Sequence, residues 1–341
     1  MQNSTSKVVA LAGGVGGAKL AHGLAQCLPP ANLTVIVNIG DDFDHMGLRI
    51  CPDLDTVCYT LAGLANPSTG WGRADETWNV FEGVKRLGGP SWFRLGDSDL
   101  STHLERTRRL RQGQSLSYIM RDFCQAWGVE LTILPVTDDF TPTWVYTDNG
   151  EMPFQEYFVH RQCQPRVVGF RFEGVERSHP APGVIEALRA AELVVICPSN
   201  PWVSIDPILA VPGVRDAIAS HPLSLDPIGE ERTPQERAYR GKVVTKRAVL
   251  AVSPIIGGKT VKGPAAKMYA ELGIQPSALA VARHYGSLLN GFVLDSVDAV
   301  QTEPVQAFGI RTLATNTLMP ASDERRRLAQ EVLDFGRSLL A

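Results

Sequence analysis

Residues 8–24 read VVALAGGVGGAKLAHGL, and this run decides the fold. Val8 to Ala12 is wholly apolar, as expected of a strand buried on both faces of a parallel sheet. Gly13, Gly14, Gly16 and Gly17 follow at once, where the backbone can turn sharply and come close to a ligand. A helix from about Ala18 to Leu28 then directs free N–H groups at an anion. Two familiar versions of such a loop are absent. The third glycine of G-x-G-x-x-G would fall on Lys19, and no Gly-Lys-Ser/Thr closes a P-loop. The run reads as a phosphate cradle or as a tight strand-to-helix turn, and its place in the first βα unit favours the cradle.

Leu33 to Ile39 is a second apolar strand, and residues 37–63, VNIGDDFDHMGLRICPDLDTVCYTLAG, leave its carboxyl end, where open α/β sheets collect ligands. The stretch carries Asp41, Asp42, Asp44, Asp53 and Asp55. So many carboxylates repel one another unless a cation or a hydrogen-bonding ligand holds them, which makes this the floor of a metal-assisted phosphate site. From Asp55 onward Val57, Leu61 and Leu64 share a helical face, and either Asp53 or Asp55 serves as its cap. A cap uses one side chain and leaves the other to be explained.

The segment SWFRLGDSDLSTHLERTRRL repeats the device, with Asp97 and Asp99 ahead of a helix opened by a capping box from Thr102 to Glu105. The two acidic loops are expected to converge. Arg94 precedes the second and suits a phosphate, a carboxylate or a plain surface ion pair. His103 reads equally well as a structural histidine. Further on, Leu193 to Cys197 is a buried strand followed by Ser199 and Asn200 between prolines, either donors to a phosphate or ribose or simple turn formers. Ala248 to Ser253 is another strand, followed by PIIGGKTVKGPAAKM. Gly258-Lys259-Thr260 is no P-loop, because its first glycine would have to be Ser253. Lys259, Lys262 and Lys267 and a helix starting near Pro264 still offer an anion charge and donors.

Strands alternating with helices imply a doubly wound, Rossmann-like, mostly parallel sheet in an α/β core made of residues 1–137 and 181–341. Residues 138–180 change character, with a hairpin turning at Asp148-Asn149-Gly150, and read as a small α/β insertion that acts as a lid or a partner surface. Residues 221–246 are charged and proline-bearing and read as an exposed excursion. The 341 residues, 44% hydrophobic and 20% charged, suffice for one large core. A net charge of -3 disfavours nucleic acid as a partner. Six cysteines without a CxxC pair read as reduced thiols of a cytoplasmic protein. No apolar run approaches membrane-spanning length, and the start is too short in apolar residues for a secretory signal. There is no His/Cys zinc set and no Gly-x-Ser-x-Gly elbow. The residues by themselves point to a Mg2+-dependent enzyme acting on a nucleotide diphosphate.

GGVGGAKL, NIGDDFDHMGLRICPDLDTVCYTLAG, LGDSDLSTHLERT, PSNPWVSIDPIL and SPIIGGKTVKGPAAKM, in that order, resemble the 2-phospho-L-lactate transferases of coenzyme F420 biosynthesis over nearly the whole chain. The resemblance implies transfer of a phospholactyl or phosphoenolpyruvyl group from a guanosine diphosphate conjugate to the ribityl hydroxyl of the deazaflavin Fo, with release of GMP and Mg2+ as cofactor. It implies Asp55 and Asp53 as catalytic residues and Asp41, Asp42 and Asp53 as metal ligands. Asp55 and Arg94 would contact the deazaflavin, with Asp97 and Asp99 close by. Gly13, Gly14, Gly16, Gly17, Ser199, Asn200 and Lys259 would hold the donor, and the assembly would be a homodimer. The 221–246 excursion is longer than the family pattern. A non-catalytic nucleotide-sugar-binding regulator of similar fold would share the glycine loop without PDLDT or LGDSD, and a nicotinamide dehydrogenase would want the third glycine.

Overall fold

The computed structural model describes residues 6–219 and 247–341, so the 221–246 excursion lies outside the described residues. In chain order the strands are β1 (Val8–Ala12), β2 (Leu33–Val37), β3 (Phe43–His45), β4 (Leu48–Ile50), β5 (Thr132–Pro135), β6 (Thr143–Thr147) and β7 (Gly150–Pro153). They continue with β8 (Val167–Phe172), β9 (Leu193–Ile196), β10 (Ala248–Val252), β11 (Ile255–Ile256), β12 (Lys259–Thr260), β13 (Gly291–Asp295) and β14 (Arg311–Thr315). One seven-stranded sheet runs β14-β13-β10-β9-β1-β2-β5, and every neighbouring pair in it is parallel.

The chain enters at β1, winds out through β2 and β5, then returns to lay β9 on the other flank of β1 and winds out the opposite way. That reversal makes the fold doubly wound and Rossmann-like, and opens a crevice between the carboxyl ends of β1 and β9. Ala12 pairs with Val37 and Leu11 with Ile196, so the loops after β1, β2 and β9 leave the sheet at one level. Every residue of β1, β9, β10 and β13 is buried. Continuous apolar runs, rather than alternating ones, follow from helices covering both faces.

The first helices are α1 (Gly14–Cys27), α2 (Pro52–Leu61), α3 (Asn79–Arg86), α4 (Asp97–Arg111) and α5 (Leu116–Ala126). Helix α1 packs against α2 and against the closing helix Ser322–Leu340. Three of these begin earlier than the sequence pattern suggests. The glycines after Gly13 are folded into the first turn of α1 instead of preceding it. Pro52 opens α2 at its first position, where a missing N–H costs nothing, so Cys51 is the N-cap and neither Asp53 nor Asp55 caps.

Helix α4 starts at Asp97, ahead of the expected capping box, because its cap comes from elsewhere: the Glu76 carboxylate accepts from the N–H groups of Ser98 and Asp99, both at 2.7 Å. In exchange Asp97 caps α3, accepting from Thr77 Oγ1 at 2.6 Å and from the N–H groups of Asn79 and Val80 at 3.0 Å each. The bond from Thr77, followed by that from Val80, pulls the Asp97 carboxyl down to about 2. A lowered carboxyl contributes stability that is present above the ordinary value near pH 4 and lost as pH falls through about 2. Melting curves of the wild type and Asp97→Asn are therefore expected to differ most above pH 4 and to converge near pH 2.

Among the elements that escape the sequence reading are β14 and the hairpin β3–β4. β14 has no apolar run because it is an edge strand, paired only with β13 and partly exposed. The acidic stretch hides the hairpin β3–β4, which turns on Met46 (φ 51°) and Gly47 (φ 73°), the paired left-handed residues of a two-residue turn. The insertion is a three-stranded antiparallel sheet, β7-β6-β8, with a helical turn at Glu156–His160, and a bridge between Thr137 and Pro180 closes its base. Val145, Phe154, Tyr157 and Val167 of the insertion form a small core with Val203 and Met268, which ties it to the main body. Among the described residues no helix is long and apolar enough to cross a membrane.

Candidate functional site

A cavity of about 770 Å³ lies at the carboxyl ends of the strands, walled by the loops after β1, β2, β9, β10 and β14 and by the insertion. Its floor is organised by Asn38, fully buried at the end of β2. Asn38 Oδ1 accepts the Gly40 N–H at 2.8 Å, which turns Nδ2 toward Asp53 Oδ2 at 2.8 Å and Asp41 Oδ1 at 3.0 Å. Two buried carboxylates thus converge on one amide. Burial, followed by repulsion from Asp53, pushes Asp41 well above the usual carboxylate range. Burial likewise raises Asp53 to about 6, although Asn38 and the Gly14 N–H pull it down.

The glycine loop stands directly against this floor. A Cβ on Gly13 would lie 2.5 Å from Asp53 Oδ2 and 2.7 Å from Ser204 Cβ, so only glycine admits the carboxylate. Ser199 Oγ donates to the Gly13 carbonyl at 2.8 Å and accepts from the Gly13 N–H at 3.1 Å, pinning the loop across the β1–β9 reversal. Gly14 and Gly16 line the cavity. Gly17 does not; a Cβ there would meet Ser199 Oγ at 2.6 Å, so its role is close packing. Asn200 lines the cavity while its Oδ1 accepts from Trp202 N at 3.0 Å.

Asp42 does not join Asp41 and Asp53. It is buried beneath the site, outside the cavity wall, with Oδ1 unpartnered, and burial raises it to about 8 against the opposing pull of the Cys51 thiol, Arg49 and Arg106. Among the described residues no group of three or more His, Cys, Asp or Glu is arranged to hold a metal. The pair Asp41 and Asp53 nevertheless fits Mg2+, which takes one or two carboxylates and completes its shell with water and phosphate oxygens, and whose charge would offset the burial that raises both groups and the repulsion that adds to it at Asp41.

A second group lies on α2 and α4. Arg106, fully buried behind the wall, grips both oxygens of Asp55, with Nη1 3.0 Å from Oδ2 and Nη2 on Oδ1. Tyr59 Oη is 2.8 Å from both Asp99 Oδ1 and Thr102 Oγ1. His103 sits between the two aspartates, 3.8 Å from Asp55 Oδ2 and 3.4 Å from Asp99 Oδ1. Burial raises the Asp99 carboxyl, but His103, Tyr59 and Arg106 together bring it below its ordinary value. The convergence expected of the two acidic loops is thus made by Asp55 and Asp99, while Asp97 is spent on α3 and lies outside the cavity wall.

Arg94 lies at the rim, its guanidinium 4.3 Å from the Trp78 ring centroid instead of paired with a carboxylate. Beside it Trp92 and Phe93 line the cavity. The insertion adds Phe154 and Phe158, stacked at 5.4 Å, and Trp92 stacks on His160 at 5.3 Å. Lys259 is exposed and does not reach the wall. The lysines that do are Lys262, which donates to the Thr69 carbonyl at 2.5 Å, and Lys19, whose ammonium is pushed down by burial and then by Arg325 and Lys262. Lys267 is spent on Glu271 and the Pro165 carbonyl.

Sequence reasoning missed Lys19, Arg106 and the stretch 317–319 that follows the unread β14. A signal existed for one of them: Asp99, His103 and Arg106 are spaced i, i+4, i+7 on one helix face. Arg106 was hidden in the charged run RTRRLR, which reads as solvated surface.

A family model described as 2-phospho-L-lactate transferase CofD matches residues 8–225. The phosphoenolpyruvate transferase of Streptomyces griseus subsp. griseus is 42% identical over 341 residues, covering 98% of this chain and 100% of that protein. The phosphoenolpyruvate transferase of Nocardia farcinica is 37% identical over 342 residues, covering 96% of this chain and 94% of that protein. Two crystal structures of protein BH3568 from Bacillus halodurans share the fold, with TM-scores of 0.60 and 0.58 at 16% and 15% identity, each covering 96% of this chain and 99% and 98% of theirs. Matched by the family model over residues 8–225 and by these relatives along nearly its whole length, the chain belongs to the 2-phospho-L-lactate transferase CofD family.

Proposed function

We propose that this chain transfers a phosphoenolpyruvyl group from a guanosine diphosphate conjugate to the ribityl hydroxyl of the deazaflavin Fo, releasing GMP, in coenzyme F420 biosynthesis. The family supports a transferase of the phosphoenolpyruvate or phospholactate type, and the relatives named phosphoenolpyruvate transferase favour the first donor. The observation that carries the reading is the paired floor of Asp41 and Asp53 under the glycine loop, facing an aromatic wall across one cavity. The charged diphosphate fits the first, and a planar deazaflavin fits between Trp92, Phe93 and Phe158.

The hydroxyl oxygen attacks the phosphorus that bears the acid. A new P–O bond forms, and the P–O bond to the leaving GMP breaks with its electron pair staying on GMP. The hydroxyl proton passes to Asp55 and from there to solvent. Phosphoryl transfer needs little covalent help, so the protein's work is positioning and charge neutralisation. The N–H groups of the glycine loop and the ammonium groups of Lys19 and Lys262 hold the diphosphate, and Asp41 and Asp53 would hold Mg2+, which supplies further neutralisation when bound. Six free cysteines suit a reducing cytoplasm, and a homodimer is the assembly expected from the family.

Purified protein incubated with Fo, Mg2+ and guanylylated phosphoenolpyruvate should yield an Fo product heavier by the transferred group and an equal amount of GMP by mass analysis. Guanylylated phospholactate should be used more slowly, and chelation should stop the reaction until Mg2+ is restored. Absence of product with either donor overturns the reading.

A further inference from the structure

His103 is buried to 1% exposure, lines the cavity, and has an Nε2 without a hydrogen-bond partner; Asp99 Oδ1, 3.4 Å away, is not well directed toward it. A buried polar atom left unpaired beside a cavity is expensive unless a ligand completes it. The other ring nitrogen settles what that ligand must offer. His103 Nδ1 lies 3.3 Å from Arg106 Nη1. A guanidinium carries donors only, so the hydrogen in this contact belongs to Arg106 and Nδ1 is the acceptor. In the neutral imidazole the remaining hydrogen is then on Nε2, facing the cavity.

Arg106 makes this arrangement rigid. The same Nη1 donates to Asp55 Oδ2 while Nη2 holds Asp55 Oδ1, and the guanidinium is wedged by the Arg49 carbonyl at 3.5 Å and the Met120 sulfur at 3.6 Å. One buried cation therefore fixes the orientation of a carboxylate and the tautomer of an imidazole that share a cavity wall. We propose that Arg106 is a positioning residue, and that through it His103 presents Nε2–H as a hydrogen-bond donor to a hydroxyl oxygen of a polyol acceptor, with Asp55 as the matching acceptor. The inference rests on the transfer reading above and assigns His103 no proton-accepting role, because its free lone pair is already spent on Arg106.

The test uses the full chain with Fo, Mg2+ and guanylylated phosphoenolpyruvate, in the wild type and in His103→Gln, His103→Leu and Arg106→Lys. His103→Leu, which lacks a donor, should lose about 10²–10³-fold in kcat/KM for Fo with donor affinity by calorimetry unchanged. His103→Gln, which keeps an N–H, should stay within about tenfold of the wild type. Arg106→Lys keeps the charge but loses the fork, and should raise the KM for Fo while leaving the KM for the donor alone. Equal losses in the Gln and Leu variants overturn the donor role. An Arg106→Lys enzyme that behaves as wild type, or that weakens both substrates alike, overturns the positioning role. Imidazole ¹⁵N spectra, with His103 assigned by its absence in His103→Gln, should show the Nε2–H tautomer in the wild type. The Nδ1–H tautomer overturns the inference whether or not the protein is active, whereas a wild type that transfers to no Fo overturns the proposed function instead.

Discussion

Asp55→Asn is expected to lower transfer to Fo by about 10³-fold, the size of effect seen when a preorganised polar group at a reacting centre is lost. The donor should still bind with nearly unchanged affinity, because the Asp55 carboxylate is held by Arg106 beside His103, whereas the Asn38 amide under the glycine loop is shared by Asp41 and Asp53. The substitution has a second consequence that must be measured apart from the first. Asp55 is the bidentate partner of a fully buried guanidinium, and removing one member of such a pair costs about 3 kcal/mol. Thermal melts report the stability loss, calorimetry the donor affinity and single-turnover assays the chemical step. Unchanged turnover would remove Asp55 from the mechanism; turnover lost in proportion to unfolded protein would make it a structural residue only.

Gly16→Ala should be the most damaging alanine substitution in the glycine loop. Its Cβ would stand 2.2 Å from the Pro198 carbonyl oxygen, a backbone atom of the loop after β9 that cannot swing aside as a side chain would. Because Ser199 ties that loop to Gly13, the glycine loop and the β9 loop must separate together. Overpacking of this kind costs about 3 kcal/mol, and binding of the guanylylated donor should fail with it. Gly83→Ala is the matched control, lying inside α3 with no atom within 4 Å of its Cβ and no left-handed φ. It should raise stability by about 1 kcal/mol, the ordinary gain of alanine over glycine within a helix. Equal melting temperatures for the two variants would refute the steric account.

The lysines show why part of the site was legible and part was not. Lys259 and Lys262 lie in one short glycine-rich segment, and of the two the sequence reading chooses Lys259 to hold the donor. The tight hairpin of β11 and β12 leaves Lys259 outside and brings Lys262 across to Thr69, nearly two hundred residues earlier in the chain. The same holds for Asp41 and Asp42, adjacent in sequence and opposite in fate: one shares the Asn38 amide and the other is buried against Cys51. Asp97 and Glu76 exchange caps over some twenty residues, a bond that a capping-box pattern cannot register, since it looks only three residues ahead.

Sequence alone determined that this chain is a doubly wound sheet, and it pointed to the strand ends and to the acidic stretch after the second strand, where the structure has a cavity lined by Asp41, Asp53 and Asp55. Uniform apolar strands, strand-to-helix glycines and clustered carboxylates are local facts, and periodicity and charge repulsion act over a few residues. The tertiary structure decided which carboxylate meets which partner. Arg106 reaches Asp55 from fifty-one residues away, and Asn38 brings Asp41 and Asp53 together at the bottom of a cavity whose far wall is an insertion. Such pairings depend on how helices and loops pack across the sheet, and packing is set by contacts between segments that no stretch of sequence contains by itself.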